Sequence, residues 1–412
     1  MNESNHLVVI GGGAAGFFCA VNAARLNPSL KITILERSAR VLQKVKVSGG
    51  GRCNVTHACF ELSQMIKQYP RGEKFLKKAF HHFFTTDTIK WFGERGVVLK
   101  TEADGRMFPD TDSSQTIIDC LLAEANKHSV QLRLNKAVNR IVRESGSWTI
   151  YTEDTSISAQ YLCIACGGFA KADQFKWITD TTGHAISNPV PSLFTFNIPG
   201  HPIRQLMGVT VLKAQVKIAG SKLLTEGPVL ITHWGLSGPG VLKMSAFAAR
   251  ELAEKKYHYT VIINWLPGFN ESSLREKILQ HRQVKGNQKL VNTEWIGLPQ
   301  RLWEFLLEQS GAHADGRWAE LPATIQHKLV KNLCGYELQA HGKTTFKEEF
   351  VTAGGINLAE VDVNTMASKL IPRLYFAGEI LDVDGITGGF NFQNAWTTGF
   401  IAANTIAMQS IG

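Results

Sequence analysis

Three glycines at fixed spacing, Gly11-x-Gly13-x-x-Gly16, follow the apolar run Leu7–Ile10 and open a helical pattern that continues from Ala14 to Leu26. A second apolar run, Lys31–Leu35, ends on Glu36, twenty residues beyond Gly16. Gly11 allows a tight turn, Gly13 lets backbone approach a pyrophosphate, and Gly16 lets helix and strand pack closely. The helix start offers free N–H groups and partial positive charge to phosphates. Glu36 can accept hydrogen bonds from a ribose diol and would repel a 2′-phosphate. Gly11, Gly13, Ala14, Ala15 and Gly16, with Glu36 and Arg37, are therefore the expected contacts of an adenosine diphosphate group. A glycine motif alone is weak; flanked by strand, helix and strand-terminal acid it specifies a dinucleotide, and leaves NAD and FAD open.

FAD is longer than the unit that grips its ADP half, so further contacts separate the two. "YLCIACGGFAK" is an apolar strand closing on Ala165-Cys166-Gly167, which would return the chain to the cofactor. Upstream, Ala137 and Val138, just past a strand at Gln131–Leu134, are placed to pack near an adenine. The strand Leu374–Ala377 ends in Gly378-Glu379, whose carboxylate would hold a ribityl chain. Gly388-Gly389-Phe390-Asn391 then opens a helix expected from about Gln393 to Ala407. A helix start beside a flavin edge would stabilise the negative charge that appears there on reduction.

"KVKVSGGGRCNVTH" fits the same scheme. Glycine is costly to order and packs nothing, so a triple needs a reason. Ser48-Gly49-Gly50-Gly51, in a loop after the second strand, would press bare backbone against the cofactor where a Cβ would clash. Lys44, Arg52, Cys53 and Asn54 complete the expected contacts.

The blocks "VVIGGGAAG", "VSGGGRCNVTH", "THWGLSGPG", "VTAGGI" and "LYFAGEILDVDGITGGFNFQNAW" together resemble the BaiN-like family of NAD(P)/FAD-dependent oxidoreductases, also called aminoacetone-oxidase-type FAD-binding proteins. The resemblance runs from residue 7 to about 407 and is weakest between about 265 and 335. It implies a two-dinucleotide-type, Rossmann-like α/β FAD domain interrupted by a β-rich, barrel-like domain and a small helical one. The sequence departs from the family with "ACGG" where a threonine-glycine pair is common and "SGGG" where Ser-Gly-Asn-Gly is usual. Neither change removes a backbone donor.

The remaining chain is read accordingly. The 412 residues suffice for two or three domains. Residues 1–190 and 346–412 form the FAD domain, with 191–345 inserted. The insert is β-rich over 191–265 and 336–345, with a helical cap over 266–335 whose Trp295, Trp303 and Trp318 are core. The chain returns to the FAD domain near Lys347. Seven cysteines, an odd number at irregular spacing, argue against a secreted disulfide framework. No basic leader or unbroken apolar span opens the chain, so a cytoplasmic location and no membrane partner are expected. The net charge is +9, with 23 basic and 17 acidic residues over 1–190, 18 and 11 over 191–345, and 3 and 7 over 346–412. This spread suits an anionic cofactor or substrate better than a nucleic-acid stripe, so a small-molecule substrate is expected and nucleic acid is not. Oligomeric state is not legible.

The leading expectation is hydride transfer between flavin N5 and a small organic substrate, with a conjugated carbonyl as acceptor and NAD(P)H as transient reductant. No second Gly-x-Gly-x-x-Gly follows, and "GLSGPG" (Gly235–Gly240) has the spacing reversed. His57, His233 and Arg52 are the candidate catalytic side chains, a histidine being able to donate a proton after hydride transfer. Two alternatives stand beside this. A flavin-linked disulfide reductase would use Cys163 and Cys166, or Cys53 and Cys59, but Cys163 and Cys166 on one strand lie about 10 Å apart on opposite faces. An RNA-associated or non-catalytic flavoprotein is suggested by the positive insert, including Leu274–Lys289, which lacks aromatic residues for base stacking.

Overall fold

The computed structural model describes residues 5–344 and 351–411; the expected return near Lys347 lies outside them. The chain divides into two compact units, Met1–Ser192 with Phe346–Gly412, and Leu193–Thr345.

In the first unit, β1 (His6–Ile10), α1 (Ala14–Leu26) and β2 (Lys31–Leu35) are followed by β3 (Gln131–Arg133), β4 (Tyr161–Ile164), β5 (Leu374–Phe376) and the long helix α2 (Phe390–Gln409). The strands form a parallel sheet in the order β5-β4-β1-β2-β3. Parallel strands buried on both faces need continuous apolar runs, and Leu7–Ile10 and Leu162–Ile164 supply them. The strand order reverses at β1, between β4 and β2, which opens a crevice at the carboxyl ends of β1 and β4. α1 and α2 pack closely because of Gly399, where a Cβ would lie 2.7 Å from Ala15 O. Around them, Phe18, Trp91 and Trp396 interlock, with Phe18 ring centroids 4.6 Å from Trp91 and 5.2 Å from Trp396. α2 starts at Phe390, not at Gln393, because Gly389 already caps it, so Phe390 and Asn391 lie in its first turn. The loop expected at Ser48–Gly51 is the broken end of a helix, Gln43–Gly51, with non-helical backbone at Ser48, Gly49 and Gly50.

The second unit is built on a seven-stranded antiparallel sheet in which Thr210–Ile218 pairs with the central strand Leu224–Ile231 on one side and with His258–Asn264 on the other. Alternation along Thr210–Ile218 shifts at a bulge between Val211 and Ala214, keeping Val211, Ala214, Val216 and Ile218 inward. Helices Glu271–Lys285, Gln300–Ser310 and Ala323–Cys334 extend this core. Trp303 and Trp318 are buried and their indole N–H groups donate to Leu290 O and Thr293 Oγ1, both at 2.9 Å, while Trp295 is partly buried. "GLSGPG" is a short strand, Gly235–Ser237, followed by a helix from Pro239. Among the described residues no helix is long and apolar enough to cross a membrane.

Candidate functional site

The first glycine turn is fixed by backbone contact. Gly11 has φ +113°, and a Cβ there would sit 2.4 Å from Ala165 O and 2.6 Å from Cys166 Cα. At Gly16 a Cβ would lie 1.9 Å from Gly11 O. Gly13, by contrast, has no atom within 4 Å of its Cβ position. It caps α1 without a side-chain hydrogen bond, and the first turn holds no acid. The positive helix end thus opens onto free space at the place where backbone alone lines it.

Glu36 is held beside this turn by three hydrogen bonds. Its Oε2 accepts from Gly12 N–H at 2.8 Å, and its Oε1 accepts from Ser38 N–H at 2.9 Å and from Ser38 Oγ at 2.8 Å. Arg37 beside it is exposed. Lys136 N–H donates to Glu36 O, which keeps Ala137 and Val138 next to the acid in the chain, Ala137 exposed and Val138 half-buried. Charge-assisted hydrogen bonds contribute about 1.5–3 kcal/mol each. Glu36→Ala is therefore expected to weaken binding of the dinucleotide roughly 10- to 100-fold, measured by titrating the apoprotein with FAD. Unchanged affinity would remove Glu36 from the site.

A second cluster gathers at the ends of β4 and β5. Gly378 (φ +77°) donates its N–H to Thr398 Oγ1 at 2.8 Å. Glu379 Oε1 accepts from Thr352 N–H at 2.9 Å, and its Oε2 lies 2.5 Å from Lys44 Nζ. Gly167 and Gly168 face the same carboxylate: Cβ atoms there would lie 3.9 Å from its Oε2 and 3.1 Å from its Oε1. Thr352 Oγ1, which would lie 2.6 Å from a Cβ on Gly168, is buried without a hydrogen-bond partner. Sequence reasoning passed over Thr352, although the block "VTAGGI" contained it.

The third cluster joins the early loop to the late turn. Asn54, with its amide turned to satisfy both ends, accepts from Gly389 N–H and donates to Thr56 O, each at 3.0 Å. A Cβ on Gly389 would lie 2.5 Å from Thr56 O. Across 331 residues of chain, His57 Nδ1 lies 2.9 Å from Gly388 O, so the ring donates there, and it stacks on Phe390 with centroids 4.6 Å apart. Tyr69 OH donates to Phe390 O at 2.7 Å. Asn391 closes the turn internally, accepting from Gly385 N–H at 2.8 Å and donating to Gly385 O at 2.9 Å. Arg71 grips the buried Asp384 with two donors, and Ser192 Oγ adds a third at 2.8 Å.

In the glycine triple, Gly49, Gly50 and Gly51 all have positive φ. Gly49 touches protein, its Cβ position being 2.8 Å from the Phe108 ring, but Gly50 and Gly51 have nothing within 4 Å. Ser48 O accepts from Cys53 N–H, which fixes the loop. Arg52 is engaged: it pairs with Glu102 at 2.5 Å and Asp112 at 3.5 Å, and its guanidinium lies 4.0 Å over the Phe108 ring. His233 belongs to the other unit, where it is exposed.

The cysteines are free thiols. Burial pushes Cys53 and Cys166 up to about 12 and raises Cys59. Cys163 is fully buried, and its thiol is raised first by a hydrogen bond with Cys19 and then by burial. None of the four is poised as a thiolate near neutral pH, which the disulfide-reductase alternative requires.

The family described as HI0933-like protein Rossmann domain matches residues 5–405. The chain belongs to this family, which takes in the BaiN-type reductases. Membership brings FAD as cofactor and oxidoreduction as reaction class. The chain is 30% identical to the ribosomal RNA dihydrouridine synthase of Escherichia coli, over 97% of each chain. It is 28% identical to the 3-dehydro-bile acid delta(4,6)-reductase of Clostridium scindens, over 98% of this chain and 99% of that one. Among solved structures, the 3-ketosteroid delta1-dehydrogenase of Sterolibacterium denitrificans shares the fold with a TM-score of 0.52 at 12% identity, over 98% of this chain and 100% of that one.

Proposed function

We propose that this protein is an FAD-dependent reductase of carbon–carbon double bonds conjugated to a carbonyl, that NAD(P)H supplies the electrons, and that the substrate is a uracil base within RNA. One observation carries the reading. Two relatives that match nearly the whole chain are named for reactions with a common core. The C5=C6 bond of uracil and the unsaturation of a 3-oxo steroid are both activated by conjugation with a carbonyl, and each gains two hydrogens. RNA is favoured over a neutral ligand by charge: the insert unit, 193–345, holds 18 Lys and Arg against 11 Asp and Glu. This departs from the expectation that nucleic acid is not a partner.

The residues present fit FAD. Gly13, Gly50 and Gly51 expose backbone beside open space, Thr352 Oγ1 is an orphaned buried hydroxyl, and two helices start without side-chain caps. When bound, FAD would supply the hydride for such a reduction, and the α-carbon would take its proton from solvent. Glu36 and the start of α1 hold the ADP half, while Lys44, Thr352 and Glu379 hold its middle. The start of α2 favours negative charge at the flavin edge. His57 acts by fixing Gly388, and Arg52 by fixing the loop through Glu102.

The test is anaerobic. NADH or NADPH is expected to bleach the yellow protein, and uridine-containing RNA to restore its colour, with nucleoside mass spectrometry showing uridine that has gained two hydrogens. A second reading, a free conjugated ketone, is favoured by the bile-acid relative. Recovery of colour with a 3-oxo-4,6-diene steroid but not with RNA would select it.

A further inference from the structure

The insert unit carries a surface that the reading above leaves unused. Thr232 and Gly235 close a tight turn: Thr232 N–H donates to Gly235 O at 2.8 Å, and Gly235 N–H donates to Thr232 Oγ1 at 3.2 Å. The turn is pinned from below, since Ile198 N–H donates to Trp234 O and a Cβ on Gly235 would lie 2.1 Å from Phe196 O. It projects two rings, an exposed His233 and a half-buried Trp234, with centroids 4.0 Å apart and planes at 74°. Beside it, Arg204 Nε donates to His233 O, and Arg301 Nη2 donates to Gln205 O at 2.7 Å. Both guanidiniums bind backbone carbonyls, and neither is paired with a carboxylate among the described residues. Met207, next in the same segment, is 56% exposed.

An exposed aromatic ring whose backbone is held by one arginine, with a second arginine bound to the neighbouring Gln205, combines a stacking platform with phosphate-binding charge, as single-stranded nucleic acid requires. Leu274–Lys289 lacks this combination. In that helix Arg275 bonds Glu271 and His327, and Arg282 bonds Gln326 and Ala319 O. We infer that Arg204, His233 and Arg301 form an RNA-binding surface, with a base stacked on the exposed His233 ring, which Trp234 supports edge-on, and the guanidiniums on adjacent phosphates. The inference rests on the uracil-in-RNA reading for the identity of its ligand.

Fluorescence anisotropy of the FAD-loaded full chain with a labelled, uridine-rich single-stranded RNA tests it. His233→Ala is expected to weaken binding about tenfold, and His233→Phe, which keeps a ring, to restore most of it. Arg204→Ala with Arg301→Ala is expected to lower the slope of log affinity against log salt by about 0.7 for each charge removed. Lys217→Ala with Lys222→Ala, an equal charge loss elsewhere on the unit, is the control, and its slope should be unchanged. Wild-type affinity in His233→Ala, or an equal slope change in the lysine control, would overturn the surface. Wild-type circular dichroism and an unchanged thermal melt in each variant show that the insert unit is folded. Because binding is read without turnover, RNA that binds through His233 yet is not reduced would keep the surface and remove the reaction. Reduction of RNA with no His233 dependence of binding would do the reverse.

Discussion

Gly11→Ala is expected to yield a protein that purifies without flavin. Glycine at φ +113° occupies backbone space that L-residues rarely adopt, and an alanine there costs about 1–3 kcal/mol in strain alone. The added methyl would also meet Ala165 O at 2.4 Å and Cys166 Cα at 2.6 Å, which are main-chain atoms with no rotamer to escape into. Gly11 N–H donates to Leu35 O at 2.8 Å, so relieving the clash pulls β1 away from β4 or from β2 at the place where the three strands present their ends. The Glu36 carboxylate and the Ala165–Gly168 segment would both shift. Together these amount to at least about 3 kcal/mol, or roughly a hundredfold loss of FAD affinity. The check is visible absorbance after purification and a titration of the apoprotein with FAD, with circular dichroism to show that the sheet survives. A yellow variant of ordinary affinity would mean that the β1 turn does not carry the cofactor.

The sequence made some of this site legible and hid the rest, for a physical reason. Gly11, Gly13, Gly16 and Glu36 could be read because their tasks are local: a turn, a helix start and a strand end within one unit of chain. α1 and β2 were placed at their observed bounds on the same ground. The start of α2 was misplaced by three residues, since Gly388–Asn391 was read as the turn that opens the helix, whereas Gly389 is the cap and Phe390 and Asn391 are already helical. The bonds that bring the distant pieces together could not be read at all. Nothing in "GRCNVTH" announces that Asn54 will meet Gly389 or that His57 will hold Gly388. Thr352 and Tyr69 were passed over because an isolated hydroxyl has no periodicity, and only its burial without a partner, or against Phe390 O, marks it. Arg52 was expected at the chemistry, but Glu102 and Asp112, far along the chain, engage its charge.

Arg71→Met is expected to be the most destabilising substitution outside the glycine turns, and its cost should grow with pH. Asp384 is fully buried, and Arg71 and Ser192 supply its hydrogen bonds. Methionine keeps much of the arginine stem's volume but leaves a buried carboxylate without its cation, a loss of about 3–5 kcal/mol. Burial already pushes the Asp384 carboxyl above the ordinary carboxylate range, while Arg71 pulls it back. A carboxyl raised in the folded state stabilises the protein below its unfolded value, about 3.9, and that contribution is lost as pH rises through the folded value. Removing Arg71 raises the folded value further, so the loss extends over a wider range of pH. Urea denaturation should therefore find the variant close to wild type near pH 4 and increasingly weaker toward pH 8. Asp384→Asn provides the contrast: with no carboxyl to titrate it escapes the loss that wild type suffers as pH rises, so its deficit relative to wild type should shrink toward pH 8, opposite in sign to that of Arg71→Met. Because Asp384 sits between Glu379 and the Gly388–Phe390 turn, flavin should dissociate from Arg71→Met before the unit unfolds. A pH-independent deficit in Arg71→Met would show that the lost packing of Arg71, rather than the stranded charge of Asp384, sets its stability.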